Sequence, residues 1–407
     1  MSGEILLLAH RLPFPPDRGD KIRSHHVLKA LAHIAPVHVG CLAEDSGDYA
    51  HEHELETLAA SYCMPARSKP LALAGLEALG RSEPVSLAAF RSANLQRWVA
   101  QTLAERDIKA IYVYSGQMGQ YVPANWRGRL VVDLVDVDSA KFEAYALSGS
   151  GPRAWIDARE GRLLRQVETE LAQRADHTLL VSDAEAALLR SRVSGQTTIS
   201  ALRNGIDCAE FDPAKVQPHP ELARSGPHFV FTGQMDYAPN VEAVTRFAEA
   251  ILPAIHRSKP DANFHIVGRA PTDEVARLGE TPGVRVWGSV PDVRPFLAAA
   301  DIVVAPLTIA RGVQNKVLEA MAMARCVLLS PEAATGIDAE HGKHFVIGED
   351  NNALVMRALH LLDRTAEREA IGQAARRIVQ DSMSWPAMLV DLPNLMGFDS
   401  GTRRDAA

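Results

Sequence analysis

The run Arg311-Gly312-Val313-Gln314-Asn315-Lys316-Val317-Leu318-Glu319-Ala320-Met321-Ala322-Met323-Ala324 follows a short β-rich stretch, Ile302–Ala305. From Val317 on it is apolar almost all round, the pattern of a buried helix. Lys316 and Glu319 interrupt that pattern, three apart and therefore on one helix face. On a surface such a pair is worth only a few tenths of a kcal/mol. In a buried setting each ion is costly unless well partnered. A ligand carrying phosphates and sugar hydroxyls would partner both, with Lys316 meeting a diphosphate and Glu319 accepting from a ribose diol. Gly312 is expected to open the helix, where free backbone amides meet an anion. Arg311 adds a guanidinium suited to phosphate.

Asp136-Val137-Asp138 ends another β-rich run. Three readings stand: chelation of a divalent ion, a metal-free role beside a ligand, or polar capping at a strand-to-loop transition. Side chains two apart share a face only while the strand continues. Pro15-Pro16-Asp17-Arg18-Gly19-Asp20 lies between the first strand and a helix that Asp20 could cap. Gly19 would let backbone approach a ligand closely. The helix that follows carries Lys21, Arg23, His25, His26, Lys29 and His33, a basic face that could be merely solvated or could meet an anionic lipid surface. His51 and His53 lie in a polar, acidic stretch and read as solvated surface rather than metal ligands.

Other chemistries lack their residues. There is no GxxxxGK[ST], no GxGxxG after the first strand, no GxSxG elbow and no HExxH. Cys41, Cys63, Cys208 and Cys326 show no CxxC spacing and suit a reducing compartment. With 43 Lys+Arg against 50 Asp+Glu the net charge is −7, which argues against a nucleic-acid-wrapping face. Met1 to Ala9 contains Glu4 and no basic n-region, so it does not read as a signal peptide. The richest apolar stretch, Pro70 to Gly80, is interrupted by Glu77 and falls short of the roughly 18 residues of a membrane span. The expectation is a soluble, cytoplasmic chain, at most peripheral on the cytoplasmic face of the inner membrane.

The elements that must position these residues are readable across the 407 residues. β-rich runs alternate with helical patterns, the mark of βα units and parallel sheets. Strands are expected at Ile5–Ala9, Val37–Ala43, Ala110–Tyr114, Leu130–Leu134 and Thr178–Val181, then at Phe229–Thr232, Phe264–Val267, Val284–Trp287, Ile302–Ala305, Val327–Leu329 and His344–Ile347. They are nearly continuous in apolar character, as doubly covered strands are. Asn240–His256 carries a helical stripe of Val244, Ala248, Ile251 and Ile255. Asp207 to Pro227 is rich in Pro and Gly and reads as a linker. The fold class is therefore α/β, with two Rossmann-like doubly wound parallel-sheet domains facing across a cleft. Ligands of such sheets bind outside the carboxyl ends of the strands.

Gly312…Lys316-Val317-Leu318-Glu319-Ala320-Met321-Ala322 resembles the donor-binding signature of retaining, family-4-type glycosyltransferases of GT-B architecture. Asn204-Gly205-Ile206-Asp207 resembles the family's turn at the domain junction, and Phe231-Thr232-Gly233 its first donor-domain strand and Gly loop. Val181-Ser182 and Asp236-Tyr237-Ala238-Pro239-Asn240 fit as well, and Ser384-Trp385 resembles the start of a closing helix. Residues 11–23, 133–139 and 312–324 together resemble the sugar transferases associated with PEP-CTERM/exosortase systems of exopolysaccharide-making bacteria. Two departures stand out. The residue eight before Glu319 is Arg311 where the family usually has Glu, and Gln234, Met235 and Asp236 replace the Arg and Lys that often follow the Gly loop.

The resemblance implies an acceptor domain at 1–207, a linker at 208–227, a donor domain at 228–380 and a closing helix at 381–397 packing back on the first. It implies donor contacts by Gly19, Gly233, Arg311, Gly312, Gln314, Asn315, Lys316 and Glu319, and catalytic roles for Asp136, Asp138 and Lys316. The donor would be a UDP- or GDP-sugar, the acceptor a glycan or a polyprenyl-diphosphate-linked sugar, and no metal or cofactor would be needed. A nucleotide-sugar 2-epimerase of the same architecture, or a non-catalytic nucleotide-sugar-binding relative, is the alternative.

Overall fold

The computed structural model describes residues 3–222, 226–310 and 312–398. The chain divides into two compact units, residues 1–204 with 388–407, and residues 205–387. Among the described residues no helix is long and apolar enough to cross a membrane.

The first unit is built on seven parallel strands, β1 (Glu4–Ala9), β2 (Val37–Gly40), β3 (Ser61–Cys63), β4 (Ile108–Tyr114), β5 (Arg129–Val135), β6 (His177–Leu180) and β7 (Ile199–Ala201). Their order in the sheet is β3-β2-β1-β4-β5-β6-β7. The central strands are buried on both faces, which is why Ile5 to Ala9 and Ala110 to Tyr114 run without a polar alternation. The helices that matter below are α1 (Gly19–Ile34), α2 (Leu71–Arg81), α3 (Asp138–Ser148) and α4 (Gly151–Arg174).

The expected basic face of α1 does not exist as a face. Lys21 and Arg23 turn inward and are buried. Lys21 Nζ donates to Asp48 Oδ1 and to the Phe14 carbonyl, both at 2.9 Å. Arg23 grips Asp133 through Nε (2.8 Å) and Nη2 (3.0 Å), and its Nη1 reaches the Leu202 carbonyl (2.7 Å) and Asn204 Oδ1 (2.9 Å). Tyr112 Oη donates to the same Asp133 carboxylate at 2.7 Å. Every charge here has a counter-charge or carbonyl, the condition under which buried ions are tolerated. Of the six basic residues only Lys29 and His33 are exposed.

The second unit carries six parallel strands, β8 (His228–Thr232), β9 (Asn263–Val267), β10 (Val284–Gly288), β11 (Ile302–Ala305), β12 (Val327–Leu329) and β13 (Val346–Ile347). They lie in the order β10-β9-β8-β11-β12-β13 over one continuous apolar core. Helix α5 (Ala238–Arg246) continues through a wider π-turn at Phe247–Ile251 into Leu252–His256. Pro253 explains the turn: it lacks an N–H and would crowd the carbonyl four residues earlier. Helix α6 (Asn315–Ala322) follows β11.

Residues 208–222 are packed rather than free. His219 stacks on Phe296 with centroids 4.3 Å apart, Leu222 is buried, and Arg376 donates to the Phe211 carbonyl (2.8 Å) and Asp212 (3.1 Å). Their prolines supply extended backbone that lies on the second unit, not slack. The anticipated closing helix is two short ones, Trp385–Met388 and Leu392–Leu395. Pro393 starts the second and forbids one continuous run. Leu392–Leu395 lies against α1, and Arg129 Nε donates to the Leu395 carbonyl at 2.8 Å.

Candidate functional site

The second unit gathers its chemistry at the carboxyl ends of β8, β9 and β11. Gly233 follows β8 directly and its amide donates to the Val267 carbonyl of β9 at 3.1 Å. A Cβ on Gly268 would fall 1.6 Å from the Gly233 carbonyl oxygen, and one on Gly233 would lie 2.9 Å from Asn240 Nδ2 and 3.3 Å from Lys316 Nζ. Only glycines let these two loops and the lysine share that space.

Lys316, in the first turn of α6, does not pair with Glu319. Its ammonium donates a short hydrogen bond to Asn240 Oδ1 and lies 4.3 Å from the centroid of the Phe231 ring. Asn240 is itself locked, its Nδ2 donating to the Gln234 carbonyl at 2.8 Å. Among the described residues no carboxylate lies in ion-pair range of Lys316, so burial wins and draws its pKa down to about 8, opposed only in part by Glu319. Burial likewise pushes Glu319 up to about 7, with Lys316 pulling the other way. This is a cation kept in a partly buried setting with a neutral amide and an aromatic face for company. An anion would complete it.

The helix entrance differs from expectation in one respect. Helix α6 begins at Asn315, and Gly312 lies before it in a loop, at φ +75°, where glycine is favoured. Gln314 is the N-cap residue but its side chain does not cap; its Nε2 folds back onto the Gly312 carbonyl at 3.1 Å. The first-turn amides of Asn315 and Lys316 thus take no side-chain partner and present the positive end of the helix. Arg311 lies outside the described residues.

Two residues enter that sequence reasoning did not assign. Asn240 is the partner that aims Lys316. Arg269, in the loop after β9, places Nη2 3.1 Å from Gln234 Oε1, and its carbonyl accepts from Met235 N at 2.8 Å. It brings a cation beside the Gly233 loop, where Gln234, Met235 and Asp236 supply none.

The first unit also brings polar groups to its strand ends. At the end of β5, Val135 takes φ +70°, an outlier for a β-branched residue, beside a register shift against β6. Its carbonyl accepts from Val181 N at 2.7 Å and Val137 N donates to Glu185 Oε2 at 2.8 Å. Asp136 is thereby exposed, whereas Asp138 is partly buried in the first turn of α3, within 3.5 Å of Gln117 Nε2. Desolvation raises both carboxyl pKa values, assisted at Asp136 by Glu185 and Asp138. Among the described residues no three His, Cys, Asp or Glu side chains converge as a metal-holding group.

At the end of β1, Asp20 does not cap α1. Arg11 Nη1 (2.5 Å) and Arg18 Nε (3.1 Å) draw its carboxylate away, and the Ncap residue is Arg18. Partial burial would raise Asp20, yet His10 and Arg11 hold its carboxyl well below the usual range. His10 itself, unassigned from sequence, stacks on Tyr114 at 5.6 Å, lies 3.5 Å from Asp20 and leaves Nδ1 buried without a partner. Gly19 is exposed, with nothing within 4 Å of where a Cβ would sit. The fold does not require glycine there and leaves the space beside it open.

Residues 226–364 match the family described as glycosyl transferases, group 1. A comparison with curated proteins finds no match. Among solved structures, Alr3699/HepE of Anabaena, crystallised with UDP, aligns with TM-score 0.61 at 16% identity over 98% of this chain and 100% of its own. Sucrose-phosphate synthase of Thermosynechococcus elongatus gives TM-score 0.56 at 16% identity over 97% and 98%. TarM, of S. aureus, gives 0.61 at 11% identity over 97% and 99%. The fold of both units is that of GT-B proteins, and the family match together with that fold supports a GT-B glycosyltransferase.

Proposed function

We propose that this chain transfers a sugar, with retention and without a metal ion, from a nucleoside diphosphate sugar to a hydroxyl of a glycan or lipid-linked acceptor. The observation that carries the reading is Lys316, a cation with no described carboxylate partner beside the Gly233 loop and the uncapped start of α6. Phosphate oxygens are the chemistry such a place lacks. Lys316, the amides of Asn315 and Lys316, Arg269 and Arg311 would hold the diphosphate and stabilise the charge it develops on leaving. Removing one such donor typically costs about 2.7–4 kcal/mol of transition-state stabilisation. Glu319 would accept from the ribose diol. Asp136 and Asp138 would orient the acceptor hydroxyl, and the departing phosphate would take its proton. The Anabaena structures with UDP and UDP-glucose favour a uridine donor carrying a hexose, with GDP-sugars second. The sequence resemblance favours a role in exopolysaccharide or other cell-surface polysaccharide synthesis, in the cytoplasm.

A thermal-shift panel of UDP- and GDP-sugars, followed by NMR of the stabilising donor with candidate acceptors in EDTA, tests this. Transfer giving a product with the donor's anomeric configuration is expected. Inversion at the anomeric carbon, a requirement for Mn²⁺ or Mg²⁺, or epimerisation of the donor with no acceptor would each overturn it.

A further inference from the structure

Helix α2 is built inside out. Its small residues Ala74 and Ala78 face the protein, packed against Ala88 and Ala89. Its leucines face water: Leu71 is 72% exposed, Leu73 56%, Leu76 67% and Leu79 54%. Helical residues three apart are neighbours, so Leu73, Leu76 and Leu79 form one apolar ridge on the side away from the alanines. The far end of the ridge meets α4, where Arg159 donates to the Ala78 and Glu83 carbonyls at 2.9 and 3.1 Å. One turn earlier on the same side of α4 stands Trp155, 63% exposed, next to the exposed Ile156. Isolated exposed leucines need no explanation, but a ridge of them joined to an exposed tryptophan does.

The charge around this ridge identifies what covers it. Residues 67–91 and 150–166 together hold eight basic residues against four acidic, in a chain whose net charge is −7. Lys69 and Arg91 are engaged with Glu77 and Glu83, and Arg81 lies 3.7 Å from Glu77 while remaining exposed; Arg153 and Arg162 are exposed as well. At about 1.5 Å per residue, an 11-residue helix is far too short to span a bilayer. It has the make-up of a helix that lies in the interface, with leucines among the acyl chains, a tryptophan at headgroup level and arginines toward anionic lipid.

We propose that the ridge of α2, with Trp155 and Ile156 of α4, docks the protein on an anionic lipid surface. The docking face is thus α2 and not α1, whose Lys21 and Arg23 are used internally. The inference does not depend on sugar transfer, and its test needs no donor.

The full chain is floated with vesicles of phosphatidylcholine alone or with phosphatidylglycerol added. Binding is expected chiefly to the anionic vesicles, weakening with salt, and brominated lipid should quench fluorescence in the wild type but much less in Trp155→Phe. Leu76→Glu with Leu79→Glu should lower the partition coefficient by roughly tenfold or more at unchanged melting temperature. Arg153→Glu with Arg162→Glu should abolish the preference for phosphatidylglycerol. No binding by the wild type, or undiminished binding by the leucine variant, would overturn the proposal. So would a wild-type dimer in sedimentation velocity that the leucine variant dissociates, since the ridge would then belong to a second copy.

Discussion

Replacing Lys316 with methionine should stabilise the ligand-free protein while disabling it. Burial draws the Lys316 ammonium from 10.5 to about 8. At about 1.4 kcal/mol per pH unit, holding it charged at neutral pH costs roughly 3 kcal/mol. Methionine removes that cost and keeps the apolar stem. It also removes the hydrogen bond to Asn240 and the ammonium's contact with Phe231, worth about 1–2 kcal/mol together. The net expectation for Lys316→Met is a gain of roughly 1–2 kcal/mol, or a melting temperature about 2–8 °C higher. The gain carries a pH signature. Between about 8 and 10.5 the unfolded chain binds more protons than the folded one, so wild-type stability rises with pH there. The two proteins should therefore converge as pH rises through that window. Differential scanning calorimetry across the window reads this directly. A UDP-sugar that raises the wild-type melting temperature should leave the variant's unmoved, and kcat/KM should fall by about a hundredfold or more. A variant that melts lower than wild type at neutral pH and turns over normally would refute the reasoning.

A methyl group on Gly233 would press on Asn240 and Lys316 at 2.9 and 3.3 Å, at a backbone φ of +158°; Gly233→Ala should thus raise the donor KM by roughly tenfold and cost about 1–3 kcal/mol of stability, read as a lower melting temperature. His265 accepts from Trp287 Nε1 at 3.1 Å and lies 3.0 Å from His228 Nδ1, and burial holds its pKa at about 3 and lowers that of His228. The unfolded chain therefore takes up protons first as pH falls through about 6.5, and urea unfolding should record a loss approaching 1.4 kcal/mol per pH unit for His265, with His228 adding to it in the same direction; a stability flat in that range would contradict it. Arg23→Met leaves Asp133 fully buried without its cation and should cost about 3–5 kcal/mol in urea unfolding; a loss under about 1 kcal/mol would show the pair to be dispensable.

The two-domain α/β plan was legible because strands covered on both faces are apolar without interruption, as in Ile5–Ala9 and Ile302–Ala305. Edge strands Ser61–Cys63 and Ile199–Ala201 were not, because three-residue strands with mixed composition leave no periodic trace. Lys316 and Glu319 stood out as ions on an apolar helix, and the structure gives Lys316 the unpaired setting such an outlier needs. The partners were invisible. Asn240 lies 76 residues from Lys316, and Arg269 joins Gln234 only because two loops stack. The same distance effect misled the reading of α1: Arg23 finds Asp133 110 residues away, and no local pattern separates that arginine from a solvated one. Asp20 had the chemistry of a cap, but Arg11 and Arg18 compete for it more strongly than a backbone amide does.

The contact between Gly268 and Gly233 makes the loops after β8 and β9 a single inherited piece. With the Gly233 carbonyl oxygen 1.6 Å from where a Gly268 side chain would begin, position 268 cannot take a side chain while the loop after β8 stays as it is. If the proposed sugar transfer holds, remodelling of the donor preference, by evolution or by grafting, must exchange residues 233–236 and 268–270 together.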